Sequence, residues 1–422
     1  MKKLLFFALM AAALFSAEAR DARAEIAERP ERAGGVYFAY PVDLINDPAT
    51  TPKGYEPFYI THYGRHGSRF LINDHDYTRV MEVLEKAEKA NALTPRGKQL
   101  KAQMDSVWEE AAERGGELSP LGARQHHGIG YRMASHYPQV FEGNAEVTAV
   151  STQVMRCAHS MFNFINGLKD VNPKLEIPME SAKRQMKYLA YQSPESQAIN
   201  NDKGPYYQDY KRFKNSKINP ERLISTIFSD PEYVKIWVDQ KGFMDNLYWV
   251  AVDLQNLETP VNLLPLFTTD ELFDLWSYAN FSFFARASSY PRANGLHVQN
   301  ARNLVANMVE NADAYIADGR HGATLRFGHD SNIIPLLGLL RAEGCFSDSD
   351  VPEDVSKDYA DYFVSPMGTN LQFVFFRPAK GKKGDILVRM LHNERLSSLP
   401  IPDAGEKGLY RWEDLRKYLL SL

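Results

Sequence analysis

The sequence predicts an α/β protein: a mixed central sheet flanked by helices, with an inserted mainly α-helical domain. Three observations lead there. Runs of β-branched and aromatic residues at 58–63, 145–151 and 323–327 are each followed by polar residues and then by apolar residues at helical spacing, the alternation of a sheet covered by helices. Two more strand-like runs, Gln372–Phe376 and Ile386–Leu391, are joined by the turn Pro378–Gly384. From about Ser181 to Asn294 the texture changes: Tyr, Lys, Asn and Trp become frequent, prolines interrupt the segment, and the periodicity turns helical.

These observations divide the chain into a leader (1–19), an α/β domain in two pieces (36–180 and 295–422) that is expected to be catalytic, and an inserted helical domain (181–294). The composition, 44% hydrophobic and 24% charged over 422 residues, is that of an ordinary globular protein. A net charge of −4 argues against a general nucleic-acid binder. An anion site must then arise from local placement of Arg and Lys.

Taken in order, the N-terminus reads as an export signal. Lys2 and Lys3 precede an apolar run from Leu4 to Phe15, and Ala17-Glu18-Ala19 gives an A-x-A cleavage pattern. The run is short for a membrane span and no later stretch resembles one, so a periplasmic or extracellular destination is expected. The charged, Ala-rich residues from Arg20 to about Gly35 read as a loose mature terminus. Cys157 and Cys345 are the two cysteines. They exclude a disulfide scaffold and are expected to be free thiols.

Phe58–Phe70 anchors the chain. Phe58, Tyr59, Ile60, Thr61 and Tyr63 suit a buried strand, and Gly64 and Gly67 let the backbone turn and approach a ligand. Arg65, His66 and Arg69 lie between and after them. A helix follows from the spacing of Val80, Val83, Leu84 and Ala87. Thr94-Pro95 and Ser119-Pro120 each read as an N-cap with proline at the first helical position, the second helix running to about His136. Strand Ala145–Ser151 leads into a helix carrying Arg156. A helix from about Leu296 to Ala317 returns the chain to strand Ala323–Phe327, then Gly328-His329-Asp330-Ser331-Asn332 and helix Ile333–Leu340. Trp412–Leu420 closes the chain as an amphipathic helix.

Three strand-to-loop junctions therefore carry Arg65, His66 and Arg69; Arg156; and His329 and Asp330. Loops at the carboxyl edge of an open sheet converge on one pocket. Guanidiniums clamp phosphate oxygens in pairs, a neutral imidazole can attack phosphorus, and a carboxylic acid can protonate the departing oxygen. Asp330 fills that last role only if its environment raises its pKa or the medium is acid. No metal or cofactor is needed, and no metal-ligand spacing is present. Lys183, Arg184, Lys187, Lys203, Lys211 and Arg212 of the insert could hold further phosphates or form a solvated face, the second being the expectation.

Arg65-His66-Gly67-Ser68-Arg69 with Gly328-His329-Asp330-Ser331-Asn332 resembles the histidine acid phosphatases, the second branch of the histidine phosphatase superfamily. Ser151-Thr152 with Arg156 and Ser160, and Ser119–Gln125, resemble two further motifs of that family in the family's order. The resemblance implies an α/β core with an inserted α domain and a phosphohistidine intermediate on His66. Asp330 would donate the proton, and Arg65, Arg69, Arg156 and His329 would bind phosphate. It implies a small phosphate ester such as phytate or a sugar phosphate as substrate. His329-Asp330 stands where the related inositol polyphosphate phosphatases usually carry His-Ala-Glu, which favours the acid phosphatase and phytase group. Phe70 and Leu71 occupy the region where the family often has proline. The competing readings are an inositol polyphosphate phosphatase, a mutase or phosphotransferase, and a phosphate-ester-binding protein without turnover. His62, His126, His127 and His159 receive no role.

Overall fold

The computed structural model describes residues 20–45 and 50–422, so the leader read in 1–19 lies outside the described residues. One sheet contains β1 (Tyr55–Arg65), β2 (Glu146–Ser151), β3 (Met179–Glu180), β4 (Gly322–Gly328), β5 (Asn370–Pro378), β6 (Leu387–His392), β7 (Arg395–Leu396) and β8 (Leu409–Arg411). The order is β3-β2-β4-β1-β5-β6-β7, with β8 also paired to β6. β2, β4 and β1 run parallel, whereas β5 is antiparallel to β1, so the sheet is mixed, as the sequence predicts.

Eight helices matter for the site: α1 (His75–Lys89), α2 (Pro95–Ala111), α3 (Pro120–His136), α4 (Met155–Val171), α5 (Gln240–Asp253), α6 (Thr269–Ala287), α7 (Arg302–Ala317) and α8 (Asp330–Leu339). The two predicted caps form. The Thr94 and Ser119 hydroxyls accept hydrogen bonds from the Gly97 and Gly122 amides at 3.0 and 3.2 Å, with Pro95 and Pro120 opening the helices.

The two faces of the sheet have different covers. Ile60, Leu325, Phe327 and Val374 pack with Ile129, Met133, Met161 and Phe164 of α3 and α4. Tyr59, Tyr63, Phe373 and Phe375 belong to a larger core that includes α1, α2, α5 and α6. Segment 181–294 consists of helices and turns, and its helices α5 and Glu221–Ile227 rest on α1 and α2. The helical layer is thus drawn from 75–111 as well as from the insertion. Among the described residues no helix is long and apolar enough to cross a membrane. Both cysteines are free and buried.

Three expectations change. The stretch after Arg20 is folded: Asp21 caps a helix over Ala22–Glu28, and Ala22, Ile26, Ala33 and Val36 are buried. Its many charged residues hide that burial in a composition-based reading. The helix expected from Leu296 is two, Leu296–Gln299 and α7, separated at Asn300 and Ala301. The helix expected from Ile333 starts earlier, at Asp330, with His329 as its N-cap residue. The short strands β3, β7 and β8 leave no signal in the sequence, because runs of two or three residues carry no periodicity.

Candidate active site

The three loops leave neighbouring parallel strands at the same edge. Arg65 on β1 lies opposite Gly328 on β4, and Phe327 lies opposite Ser151 on β2. The His66 amide donates to the Gly328 carbonyl at 2.9 Å, and the Thr152 amide to the Phe327 carbonyl at 3.0 Å. Strand pairing therefore carries through into the loops and fixes them relative to one another.

Loop 65–71 is held from several sides. The Gly67 amide donates to Ser160 Oγ at 3.1 Å and the Ser68 amide to Gln125 Oε1 at 2.9 Å. Ser68 Oγ donates to Asn256 Oδ1 at 2.7 Å, and His126 Nε2–H to the Arg65 carbonyl at 2.9 Å. Gly64 and Gly67 do not use the left-handed region; no positive φ occurs at either. Gly67 is needed for space: a Cβ there would sit 2.5 Å from the Gly122 carbonyl oxygen, and one on Gly122 would sit 2.1 Å from that of Ser68. Phe70 and Leu71, standing where the family often has proline, are buried, and the Phe70 amide donates to Glu117 at 3.1 Å.

His66 is buried. Its Nδ1 lies 2.9 Å from the Gly67 carbonyl oxygen. A carbonyl can only accept, so Nδ1 carries the proton and Nε2 presents a lone pair. Burial, followed by the charges of Arg65, Arg69, Arg156 and His329, lowers its pKa well below the usual imidazole value. The ring is neutral and nucleophilic at neutral pH.

Three guanidiniums surround it. Arg65, with no exposed side-chain surface, donates through Nη1 to the carbonyls of Val36 and Ser365 at 2.5 and 2.6 Å. Arg69 donates to the Phe70 carbonyl at 2.7 Å and to Tyr37 Oη at 3.1 Å, lying 4.7 Å over the Tyr37 ring. Burial opposes its charge, but Tyr37, Asp253 and Asp330 together outweigh it and raise the pKa. Arg156 donates to the Gly116 carbonyl at 3.3 Å; burial and then Arg69 lower its pKa. All three keep a buried Nε–H without a protein acceptor, and donors of that kind call for an explanation in a folded chain.

His329 stacks edge-on to His66 at 5.7 Å between ring centroids. Its Nε2 is 3.1 Å from Thr152 Oγ1, and burial lowers its pKa to about 4. Asp330 Oδ1 accepts from the Ser331 amide at 2.7 Å, and its other oxygen pairs with Arg65. Burial raises the Asp330 pKa, but Arg65, then His329 and Arg69, overcome that and leave it lowered. A quarter of the side chain (25%) stays exposed. Of the two routes to a protonated Asp330 read from the sequence, a raised pKa is not the one found in the free protein.

The sequence profile of the histidine phosphatase superfamily (branch 2) matches residues 64–393. The chain belongs to that family. No curated protein sequence matches this phosphatase, but solved structures do. The Bifidobacterium longum multiple inositol polyphosphate phosphatase, in complex with inositol hexasulfate, superposes with a TM-score of 0.75 at 18% identity, covering 92% of this chain and 97% of that one. The D. castellii phytase gives 0.70 at 15% identity over 93% and 84%. The Hafnia alvei phytase gives 0.55 at 13% over 88% and 98%.

Of the six residues singled out in the sequence, His66, Arg69 and His329 lie in the loops of this phosphatase, Arg65 ends β1, and Arg156 and Asp330 stand in the first turns of α4 and α8. Their supports carry no comparable signature in the sequence. Tyr37 lies just past the stretch 20–35 that the sequence reads as loose, at the start of the segment assigned to the α/β domain. Asn256 Nδ2 donates to the Tyr37 carbonyl at 2.8 Å, and Asp253 accepts from Tyr77 Oη at 2.8 Å. Burial raises Asp253 to about 7 although Arg69 pulls it down. The one available signal was a carboxylate within the apolar run Trp249–Leu254. His62 is core, packed on Phe164 and Phe327, and His127 pairs with Asp170 at the surface. The six cations considered in the insert are all exposed; Arg184 pairs with Glu180 and Arg212 with Glu353. Among the described residues no group of three or more His, Cys, Asp or Glu side chains is placed to hold a metal.

Proposed function

We propose that this phosphatase hydrolyses phosphate monoesters through a phosphohistidine on His66, as an exported enzyme of the acid phosphatase or phytase type. The observation that carries the reading is a neutral imidazole with Nε2 free for attack, set among three arginines whose Nε–H donors lack protein acceptors. A phosphate group brings about two negative charges and three non-bridging oxygens at neutral pH, which matches that set of donors. The export part rests on the N-terminal pattern of Lys2, Lys3 and Ala17-Glu18-Ala19.

In the first step Nε2 of His66 forms a bond to phosphorus as the ester P–O bond breaks. The leaving oxygen takes its proton from Asp330, which receives it from a monoanionic ester or an acid medium once the phosphate competes for Arg65. The Gly67 carbonyl, bonded to Nδ1–H, stabilises the positive charge the ring gains. In the second step water attacks the phosphoryl group, the P–N bond breaks, and Asp330 recovers a proton from that water. Arg65, Arg69, Arg156 and His329 hold the phosphoryl oxygens throughout.

His66→Ala tests the reading. Turnover should fall by at least about 10⁴-fold, as for other essential nucleophiles. Activity of the variant within about tenfold of the parent would remove His66 from the mechanism.

A further inference from the structure

Two cavities flank the site. One, of about 210 Å³, is lined by Asp330, Ser331, Asn200 and Asn300. The other, of about 330 Å³, is lined by Tyr37, whose hydroxyl binds Arg69, and by Tyr210, Trp249, Asp76, Arg79 and Asp245. Phe283 and Arg286 belong to both walls, so the cavity that holds Asp330 and the aromatic cavity share them.

The charges in these walls are paired, with one exception. Arg79 is tied to Asp76 and donates to Asn246 Oδ1 at 3.1 Å. Asp245 holds Lys214 at 2.6 Å and also accepts from the Tyr278 hydroxyl. Arg286 alone among the cations of the two walls has no carboxylate partner: its Nε donates to the Ser282 carbonyl at 3.3 Å and its guanidinium lies 5.6 Å from the Phe283 ring centroid. Its side chain is exposed. The larger wall also carries five aromatic side chains, Tyr37, Tyr210, Trp249, Tyr278 and Phe283, beside Leu71, Asn246, Ala279 and Ser282. The Tyr37 and Trp249 rings are 5.5 Å apart, and Trp249, Tyr210 and Phe283 are half-buried.

From this pairing we propose that the outer cleft selects esters whose leaving alcohol carries an apolar or aromatic ring and at most one further anionic group, held by Arg286, against densely phosphorylated rings. The inference rests on the phosphatase reading above and refines its substrate class. Each added phosphate brings about two charges and needs its own guanidinium or ammonium. The walls offer one unpaired cation and present the carboxylates of Asp76 and Asp245 besides. Aromatic faces reward a ring body instead, and a few hundred Å³ is the size of a small-ligand pocket. The relative crystallised with inositol hexasulfate shares the fold at 18% identity, which leaves the side chains of the cleft free to differ.

The test compares kcat/KM for phytate, glucose 1,6-bisphosphate, glucose 6-phosphate and naphthylmethyl phosphate, an alkyl ester not favoured by leaving-group reactivity. Naphthylmethyl phosphate should exceed phytate by about tenfold or more. Arg286→Gln should lower the ratio of bisphosphate to monophosphate by about tenfold, the worth of one charge-assisted contact. Asp76→Asn, which keeps an acceptor and frees Arg79, should raise phytate relative to naphthylmethyl phosphate. Phytate as the best substrate, or an unchanged ratio in Arg286→Gln, would overturn the inference while leaving the phosphatase reading intact. Absence of hydrolysis across the whole panel would overturn both.

Discussion

Oδ2 of Asp330 lies 3.1 Å from Nη2 of Arg65, an ion pair between the proposed proton donor and a proposed phosphate ligand. The pair keeps Asp330 ionised before substrate arrives. A bound phosphate competes for the same guanidinium and places negative charge beside the carboxylate, which raises its proton affinity. The proton can then come from a monoanionic ester or from an acid medium.

The pH dependence of kcat/KM follows from this pair. Phosphate esters lose their second proton near about 6, so kcat/KM should rise as pH falls through that value. His66, whose pKa is lowered, remains neutral through 6.5 and downwards, so no loss should occur there. Profiles for two esters of different second pKa should shift with the ester. An acidic limb near about 6.5, common to both, would place an ordinary imidazole in the mechanism.

Asp330→Asn should slow alkyl phosphates far more than aryl phosphates, by about 10²–10⁴-fold against a much smaller loss in the phosphorylation step. Rapid-quench rates on one ester of each kind separate the two. Equal losses would remove Asp330 as general acid.

Gly122→Ala should lower kcat/KM by about 10²-fold. The new Cβ would meet the Ser68 carbonyl oxygen at 2.1 Å and push the loop bearing His66. Circular dichroism would show whether the fold is kept, and Michaelis constants measured beside it would show the loss. A kinetically silent variant would mean the loop has room.

Acid should destabilise the fold well before Asp330 is protonated. Burial lowers His126, His297, His329 and His392 to about 4 each, below the unfolded value of about 6.5. The unfolded chain therefore binds more protons between those values, and stability falls as pH drops from about 6.5 towards 4. Each histidine contributes at most about 1.4 kcal/mol per pH unit there. Thermal melts at several pH values read the slope directly; a melting temperature flat across that window would contradict the burial of these rings in neutral form.

The legible part of the molecule was the part written in local pattern. Strand β1 followed by Arg65-His66-Gly67, and β4 followed by His329-Asp330, announce themselves through aromatic and β-branched runs ending in polar turns. Thr94 and Ser119 announced their helices through capping chemistry. Tyr37, Asp253 and Asn256 did not, because their partners are far away in sequence: Asn256 receives a hydrogen bond from Ser68, 188 residues away. The ionised state of Asp330 was equally hidden, since it depends on the distance to Arg65 and not on the motif that names either residue. Arg286 escaped because the exposed cations around it in sequence look alike until their carboxylate partners are seen.

Trapping the covalent intermediate tests the central claim most directly. Asp330→Asn, mixed with an aryl phosphate and quenched in alkali, should accumulate an acid-labile phosphoryl group that peptide mass spectrometry places on His66, approaching one per chain. The label should be absent from His66→Ala. A phosphoryl group mapped to any other side chain, or steady turnover with no labelled enzyme at any quench time, would contradict attack by His66.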